Sequence, residues 1–551
     1  MAASSGTNRR LHARRICDAA LVGAAIALSL WCVPMRPVRA QQAPDRAEIA
    51  NFADRVVDEV AERYRLPGIA VGIVVDGQVV YRGTRGELVA GSGRKIDPDT
   101  VFKIASNSKA MTAALLARLV DAGKLKWDDP VTKYLPDFRM HEPWVTREMQ
   151  VRDLLIHNSG LPAGAGDLML WPEPNLFTRA DVIHGLRYLK PTYSFRSQYA
   201  YDNTLYIVAG EVAAAAGGAP YDELVRRELF GPLGMARCQV GAWKRDAVGN
   251  VAQPHASRNG RNVPTRQDGE TIPNLPMMAA GGIRCSLDDM LTWTRMWLQP
   301  EKAGLQDGKP WLSQAQRDEV WKPHTIMPLS RRMRDWDNSH YSAYGYGWRL
   351  TDVDGTWKVS HTGTLGGMYS ALTLLPQKHA GFVILINGDA DDARTVLTQV
   401  LVKHFTAPQS QPSVADYAGR LQAEQQQAAA AKPVPDTSDR RPVSARELGD
   451  KAGLYRDPWF GEVSICPQQA AVVFSSAKSP KMVGDVMRSR GRLLVQWRSP
   501  DADVEPWLDF VAAEGGAPMR LRMAKIDPDA DFSSDYEDLA FERIGDCPRN
   551  L

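Results

Sequence analysis

The chain has 551 residues, of which 44% are apolar and 24% are charged, a composition typical of a folded protein with more than one domain. The first 40 residues contain six arginines and one aspartate, so the formal net charge of +3 becomes −2 in the remainder. A remainder this close to neutral gives no reason to expect nucleic acid as a partner.

Residues 1–40 have the layout of a secretory signal peptide. Four arginines precede an uncharged run at 19–33, and Val38-Arg39-Ala40 offers small residues for cleavage. This run is shorter than the roughly 20 apolar residues that a membrane span needs, although an uncleaved anchor is the alternative. The sequence therefore predicts a periplasmic or secreted protein that contacts a membrane only if the signal is retained.

Four cysteines follow the predicted signal, two in each half of the remaining chain. In an oxidising compartment we expect the pairs Cys238–Cys285 and Cys466–Cys547, one of three connectivities, and four free buried thiols are the alternative. No cluster of histidine and cysteine has zinc-ligand spacing, so we expect neither a metal nor a cofactor.

The first elements after the signal are a helix and a β-hairpin. Residues 45–60 place apolar side chains on one helical face, and 68–75 and 78–81 are strand-like runs separated by Asp76-Gly77. The dipeptide Asp-Gly suits the tight turn of a hairpin. We expect the helix to pack on an antiparallel sheet.

Ser106 and Lys109 lie one turn apart where the next helix is predicted to begin. Apolar residues of a buried helical face follow, and Gly123 ends the pattern; the face consists of Met111, Leu115, Leu116 and Leu119. A serine needs a base to take its proton, and the lysine three residues on shares its helical face. The helix dipole and burial both favour the neutral amine, which is a base.

An isolated Ser-x-x-Lys is more often an ordinary helix N-cap. The chain contains a second example, Ser475 to Lys478, which lies among strand-like residues with no helix to follow. The assignment of Ser106 therefore depends on what comes later in the chain.

Residues 151–204 contain several candidate site features. His157 precedes a Ser-Gly-Leu-Pro turn, where a structural histidine is the expected case. Leu-Met-Leu-Trp at 168–171 could line an apolar pocket or pack a loop, and Thr178 begins a capping box whose helix is predicted to reach Lys190.

Tyr201 and Asn203 precede an apolar helix at 204–216. If the segment is extended, the two side chains point the same way. A phenol can relay a proton, and a carboxamide can orient a lysine and a substrate. Without a partner motif, Tyr-x-Asn is an ordinary turn before a helix.

His361, Thr362, Gly363 and Thr364 precede two apolar strands and a helix at 392–405. We expect them on an edge strand that lines a cleft and exposes a backbone N–H for an oxyanion hole. The glycine turn and helix at 277–298 are interpreted as structural.

Residues 406–443, rich in glutamine, alanine and proline, are predicted to be a partly helical linker. Short strand-like runs separated by turns then predict a small antiparallel barrel or sandwich at 444–551, with no catalytic set of its own.

Ser106-x-x-Lys109, Tyr201-x-Asn203 and His361-Thr-Gly363, in this order, resemble the three motifs of serine β-lactamases and penicillin-binding proteins. The tyrosine is similar to that of the class C β-lactamase and D-alanyl-D-alanine carboxypeptidase branch, which includes CubicO-type esterases and peptidases. The resemblance implies an α+β, β-lactamase/transpeptidase-like fold at 41–405, with an antiparallel sheet and a helical subdomain, followed by a lipocalin-like all-β domain.

The resemblance also implies roles for the motif residues. Ser106 would be the acylated nucleophile, Lys109 the base and Tyr201 the proton relay, with Asn203, His361, Thr362, Gly363 and Thr364 binding substrate. The backbone N–H groups of Ser106 and Thr364 would form the oxyanion hole. His361 departs from the lysine of penicillin-recognising enzymes, which favours a neutral ester or amide over a β-lactam.

The expected function is that of a serine hydrolase acting through an acyl-enzyme on a small-molecule or peptide substrate, as an esterase or D-amino-acid-type peptidase. The alternatives are a β-lactamase, a slowly turning-over penicillin-binding sensor and a catalytically silent scaffold. The sequence does not predict the oligomeric state.

Overall fold

The computed structural model describes residues 45–302, 309–410, 412–469, 471–512 and 518–548. The predicted signal peptide at 1–40 lies outside the described residues. Among those that are described, no helix combines the length and the apolar character that crossing a bilayer would require.

The helices and strands of the described residues are numbered here in chain order. The α-helices are α1 (Arg46–Arg63), α2 (Ser108–Asp121), α3 (Pro143–Glu148), α4 (Arg179–Gly185), α5 (Thr204–Gly217), α6 (Tyr221–Val225), α7 (Gly231–Leu233), α8 (Arg245–Val248), α9 (Met278–Gly281), α10 (Leu287–Leu298), α11 (Gln314–Val320), α12 (Arg331–Asp337), α13 (Asp391–Thr406), α14 (Val414–Ala431) and α15 (Ala445–Leu448). The strands are β1 (Gly68–Val75), β2 (Gln78–Gly86), β3 (Phe102–Lys103), β4 (Trp243–Lys244), β5 (His255–Arg258), β6 (Arg261–Pro264), β7 (Thr271–Ile272), β8 (Arg284–Cys285), β9 (Thr325–Ile326), β10 (Ser342–Tyr344), β11 (Arg349–Val353), β12 (Thr356–Leu365), β13 (Met368–Leu375), β14 (Ala380–Ile386), β15 (Arg441–Pro442), β16 (Gly453–Asp457), β17 (Gly461–Gln468), β18 (Ala471–Ser476), β19 (Val483–Ser489), β20 (Arg492–Trp497), β21 (Pro506–Val511), β22 (Arg520–Lys525) and β23 (Phe541–Gly545).

Residues 45–406 contain the three predicted motifs and are called the catalytic half. An antiparallel eight-stranded sheet forms their centre, in the order β2-β1-β14-β13-β12-β11-β10-β9. Strand β1 is buried along its whole length because successive side chains enter opposite cores. Ile69 and Val71 join one apolar cluster, and Ala70 and Val74 join the other. The predicted helix, hairpin and antiparallel sheet are confirmed.

Helices α1, α13 and α14 cover one face of this sheet. Helix α14 lies within the predicted linker, and it buries Val414, Tyr417 and Leu421 against that face. Its first turn has the capping box of Ser413 and Asp416. The boundaries of the linker stay a prediction, and the helical part belongs to the packed core.

The other face of the sheet packs against α10, and the helical subdomain around α2 and α5 completes this half of the molecule. Gly72 of β1 permits the approach of α10, because a Cβ there would lie 2.7 Å from a methyl carbon of Leu291. Helices α4, α6 and α9 surround α5. The implied helical subdomain is confirmed.

The C-terminal strands close into an eight-stranded antiparallel barrel, β16 to β23, because β19 pairs with both β18 and β20. Strand β15 adds to β19 outside the ring. The strand-like runs of the sequence lie at 462–465, 471–474, 493–497, 507–511 and 519–523, so β15, β16, β19 and β23 were not predicted. Ser475 of the second Ser-x-x-Lys lies in strand β18, and Lys478 forms an ion pair of 2.7 Å with Asp181 of α4.

Both expected disulfides are present. Cys238–Cys285 joins segments within the catalytic half, and Cys466–Cys547 joins β17 to the chain that follows β23. The alternative of four free thiols is therefore wrong for this structure.

Helix α4 begins as expected and ends early. The Thr178 side chain accepts from the Asp181 N–H at 3.1 Å, and the Asp181 carboxylate accepts from the Thr178 N–H at 2.8 Å. The helix was predicted to reach Lys190, but it ends at Gly185, where the Tyr188 N–H closes a tighter turn onto the Gly185 carbonyl. Glycine is a poor helix former, which accounts for the early end.

Candidate active site

Ser106 lies in a one-turn 3-10 helix, which replaces the predicted first turn of the α-helix, and α2 begins two residues later. Ala105 has a φ of 48°, a left-handed conformation that costs free energy in a residue with a side chain. The Ser370 hydroxyl holds this turn, since it donates to the Ile104 carbonyl at 2.7 Å and accepts from the Asn107 amide at 2.8 Å. The conformation of the turn at Ser106 is therefore held by contacts from β13.

Strand β12, which contains His361 to Thr364, is an interior strand, so the expectation of an edge strand is wrong. Its pairing with β11 begins at Ser360, so the following residues pair only with β13 and form a local edge. Gly363 lies against the nucleophile turn, because a Cβ at this position would be 2.2 Å from the Ile104 carbonyl oxygen. Its contribution is close packing behind Ser106.

A cavity of about 950 Å³ opens in front of Ser106. Tyr201, Asn203, Thr362 and Thr364 share its wall with the serine, whereas His361 and Gly363 do not line it. The structure thus brings together five of the eight residues that the sequence predicts for the site. Lys109 lies directly beneath Ser106, as described next.

Lys109 is fully buried, and its ammonium nitrogen Nζ has three close polar neighbours. It lies 3.2 Å from Ser106 Oγ, 2.7 Å from Asn203 Oδ1 and 2.9 Å from the Ala280 carbonyl oxygen. Burial lowers the pKa of Lys109 to about 7, against the opposing effect of the Asp167 carboxylate. A substantial fraction of this lysine is therefore a neutral amine near neutral pH.

Tyr201 faces the same serine from the segment before α5. Burial raises the pKa of the Tyr201 phenol to about 12, while Arg349 and a hydrogen bond with Ser106 act in the opposite direction. Lys109 Nζ lies 4.9 Å from the centre of the tyrosine ring. The phenol stays protonated at neutral pH, so it can pass on a proton that it receives.

His157 has a structural position, as the sequence analysis expected. It is 1% exposed and does not line the cavity. Its Nδ1 accepts from the Asp202 N–H at 3.1 Å, and its ring lies 4.3 Å from that of Tyr201. The histidine therefore holds the segment that presents Tyr201 and Asn203.

His361 was expected to contact substrate, and the structure buries it behind the cavity wall. Its Nδ1 lies 2.7 Å from the Thr362 carbonyl and its Nε2 lies 2.8 Å from the Tyr344 hydroxyl. A carbonyl only accepts, so Nδ1 is the protonated nitrogen and the tyrosine donates to Nε2. Burial lowers the pKa of His361 well below its ordinary value, with Arg349 adding to the effect, so this histidine is neutral.

Three arginines line the cavity, Arg258, Arg266 and Arg349, none of which was predicted for the site from the sequence. Arg349 of β11 is the one that contacts the predicted motif residues. Its guanidinium donates to Thr362 Oγ1 at 3.0 Å and lies 5.9 Å from the centre of the Tyr201 ring. No carboxylate of the described chain forms an ion pair with it. Arg196, the arginine considered from sequence, is instead paired with Asp153 at 2.6 Å, away from the cavity.

The segment at 163–177 contributes to the cavity as well as to packing. Leu168 and Trp171 line the cavity, whereas Met169 and Leu170 are buried between them. The glycine turn at 277–286 was interpreted as structural, but it also contributes a residue to the site. Ala280 lines the cavity, and its carbonyl oxygen accepts from Lys109.

Two loops of the C-terminal barrel, at 500–504 and 531–536, form the far wall of the same cavity. Arg266 of the catalytic half holds the first loop by donating to the Asp501 carbonyl at 2.8 Å. The second loop reaches the inner part of the site, where Ser533 donates to Asp167 Oδ2 at 2.7 Å. The barrel was predicted to have no catalytic set of its own, and its loops shape the cavity of the predicted one. Nothing in its strand pattern indicated this.

Within the described ranges no group of three or more histidine, cysteine, aspartate or glutamate side chains is arranged to hold a metal ion. The polar groups around Ser106 are an amine, a phenol, an amide and a guanidinium. Such a set suits proton transfer and charge stabilisation in acyl transfer.

The family model described as Beta-lactamase matches residues 53–404. An unguisins hydrolase of Aspergillus campestris is 27% identical over 368 residues, which are 64% of this chain and 64% of that protein. The chain thus spans slightly less than two thirds of that relative's length.

A bacterial protein and a solved structure extend the comparison. Penicillin-binding protein 4 of Amycolatopsis lactamdurans is 28% identical over 345 residues, 62% of this chain and 85% of that protein. The octameric penicillin-binding protein homologue from Pyrococcus abyssi aligns with a TM-score of 0.56 at 18% identity, covering 86% of this chain and 97% of that one. At this identity the structural match shows a shared fold.

Proposed function

Because the chain belongs to the β-lactamase family, we propose that it is a serine hydrolase that acts through an acyl-enzyme on an ester or amide. The main support is the buried amine of Lys109, whose pKa of about 7 and distance of 3.2 Å from Ser106 Oγ suit a general base. Ser106 is the nucleophile in this proposal, and Tyr201 is the proton relay.

In the acylation step, Lys109 takes the hydroxyl proton of Ser106 while Oγ attacks the substrate carbonyl. The backbone N–H groups of Ser106 and Thr364 stabilise the oxyanion, and Tyr201 passes the lysine proton to the leaving alcohol or amine. A water molecule then attacks the acyl-enzyme, Tyr201 and Lys109 accept its proton, and Ser106 leaves with a proton restored.

The preferred substrates in this proposal are neutral esters or amides, including those of D-amino acids. His361 replaces the lysine of penicillin-recognising enzymes, and it is neutral and buried. The cavity of about 950 Å³, with Leu168 and Trp171 in its wall, suits a bulky acyl group. A periplasmic or secreted location is consistent with the predicted signal and the two disulfides.

Arg349 supports a second candidate, a β-lactamase or slowly turning-over penicillin-binding protein. Its guanidinium lines the cavity without a carboxylate partner among the described residues, and it is a permanent cation that a substrate carboxylate could pair with. Replacing Arg349 by Met should then lower kcat/KM for a carboxylate-bearing substrate much more than for its methyl ester. Equal losses on both substrates would remove this candidate.

The principal test compares Ser106→Ala with Ser475→Ala in hydrolysis of a p-nitrophenyl ester and in labelling by a fluorophosphonate. The first variant should lose both activities, and the second should keep both, because Ser475 lies in a barrel strand. Repeated turnover supports the hydrolase, whereas a burst of one product per chain supports the slow sensor. Loss of activity only in Ser475→Ala would refute the proposal, and inert wild-type protein would indicate a scaffold.

A further inference from the structure

A line of hydrogen bonds connects the catalytic lysine to the C-terminal barrel. Lys109 Nζ donates to Asn203 Oδ1 at 2.7 Å, and Asn203 Nδ2 donates to Asp167 Oδ2 at 2.8 Å. Ser533 Oγ of the barrel donates to the same oxygen of Asp167 at 2.7 Å. Asp167 is fully buried, and no motif of the sequence had indicated it.

We propose that Asp167 is a positioning residue for the serine-lysine pair, because it fixes which end of the Asn203 amide faces Lys109. The inference rests on the proposed function, in which Lys109 is the base that activates Ser106. Asp167 itself does not line the cavity and reaches it only through Asn203 and Ser533.

The direction of the amide matters because a neutral amine has two N–H bonds and one lone pair. The carbonyl oxygen of Ala280 and Oδ1 of Asn203 accept the two N–H bonds of Lys109, which leaves the lone pair to face Ser106 Oγ. A reversed Asn203 amide would present its NH2 group to the lysine. That group would occupy the lone pair, and the lysine could no longer take the serine proton.

A carboxylate at position 167 excludes the reversed orientation. Burial raises the pKa of Asp167 well above its ordinary value, whereas the hydrogen bonds from Ser533 and Asn203 favour the ionised form. An ionised Asp167 can only accept, so it meets the NH2 end of Asn203, and an oxygen facing it would be repelled. An asparagine in its place would match either end of the amide. The side chain of Asp167 therefore selects one of two otherwise similar states of Asn203.

The barrel holds Asp167 in place through two residues. The Asp535 carboxylate accepts from the Gly166 N–H at 2.6 Å and from the Leu168 N–H at 3.0 Å, the backbone amides on either side of Asp167. Ser533 adds the hydroxyl contact described above. The C-terminal domain thus supports the catalytic lysine through three successive side chains.

Several charged groups surround this line and affect its titration. Asp167 faces Lys109 on α2, Asp202 before α5 and Asp535 of the barrel, and Arg349 on β11 faces Lys109. The carboxylates of Asp167 and Asp202 each raise the pKa of Lys109. Removing either charge should therefore move the titration of the lysine to lower pH, whereas only Asp167 contacts the side chain of Asn203.

The test uses the full mature chain and measures the second-order rate of Ser106 labelling by a fluorophosphonate from pH 5.5 to 9. Asp167→Asn should lower the plateau rate on the order of 10- to 100-fold, since small misplacements of reacting groups have effects of this size. The matched control is Asp202→Asn, which removes a buried carboxylate near the lysine but keeps the Oδ1 acceptor used by Thr204 and Leu205. The plateau of its labelling rate should stay within about threefold of wild type, and the midpoint of its pH profile should shift to lower pH.

A double-mutant cycle identifies the route of the effect. In an Asn203→Ala background, Asp167→Asn should change the plateau by less than about threefold, because the amide that it orients is gone. The inference would be overturned if the plateau rate of Asp167→Asn alone stayed within about threefold of wild type. It would also be overturned if Asp167→Asn lowered the plateau rate equally in the wild-type and Asn203→Ala backgrounds. Survival of labelling in Ser106→Ala would overturn the proposed function instead.

Ser533→Ala provides a second variant should Asp167→Asn fail to fold, as judged by thermal melting. It removes the barrel hydroxyl that holds Asp167 Oδ2 and leaves every catalytic side chain in place. We expect the plateau to fall about threefold to tenfold without a shift of the midpoint, since no charge changes. An unchanged plateau would show that the barrel does not act on the lysine through Asp167.

Discussion

The rate of acylation of Ser106 is expected to follow the deprotonation of Lys109. Burial places the pKa of this lysine at about 7, so about one tenth of it is neutral at pH 6 and about nine tenths at pH 8. Since the neutral amine is the base, activity should be lost as the pH falls through 7. The rate should rise about tenfold between pH 6 and pH 8 and become constant above that.

The phenol and the two histidines near the serine titrate outside this window. The pKa of Tyr201 is raised to about 12 by burial, so the phenol stays neutral throughout. Burial also lowers the pKa of His157 and that of His361 well below the ordinary value. Burial raises the pKa of Asp202 to about 6 and that of Asp167 well above its ordinary value, so both carboxylates affect the acidic limb. Asp202→Asn and Asp167→Asn are the controls for them.

The assay is fluorophosphonate labelling counted by intact-mass spectrometry, which does not depend on the ionisation of a coloured product. Lys109→Met should label very slowly and without the rise near pH 7. A rate that continues to increase tenfold per unit up to pH 10 would point to tyrosinate or hydroxide as the base. A rate independent of pH in the wild-type protein would refute the assignment of Lys109.

Three further outcomes are expected. Tyr201→Phe should lower kcat about 100- to 10,000-fold with little change in KM, as measured by ester hydrolysis, and a loss of less than tenfold would contradict the relay. Replacing Cys238 and Cys285 together by Ala should lower the free energy of unfolding by about 4 kcal/mol in urea titrations, because the bond closes a loop with a sequence separation of 47 residues; an unchanged midpoint would contradict this. His361→Lys would bury an ammonium beside the Tyr344 hydroxyl, so the free energy of unfolding should fall by at least about 2 kcal/mol. A variant that is as stable as wild type and hydrolyses anionic esters faster would show that a side chain at position 361 can reach the cavity.

Much of the local structure could be predicted because it depends on neighbours in sequence. The apolar run of β1, the Asp76-Gly77 turn and the capping box at Thr178 each appear where expected. The spacing of Ser106 and Lys109 places both side chains on one face, and Ser106 Oγ lies 3.2 Å from Lys109 Nζ. The two disulfides could also be predicted, since one pair of cysteines lay in each predicted domain.

Predictions that depended on which side of an element faces the site were less successful. His361 and Thr362 are adjacent on β12, so they point to opposite faces, and only Thr362 lines the cavity. The motif alone did not show that the histidine is the buried member of the pair. Arg349 pairs with Ser360 on the neighbouring strand, and this register places its guanidinium beside Thr362.

Residue types and short spacings were enough to assign the family, the order of the three motifs and most of the elements that present them. The charge of Lys109 could not be predicted in this way, since the pKa of an amine depends on the groups that enclose it in the folded protein. Only the fold, likewise, brings Asn203 to the lysine across 94 residues and Ser533 to Asp167 across 366. No local pattern encodes contacts between segments so far apart. The first forms only when α2 packs on α5, and the second only when the barrel packs on the catalytic half.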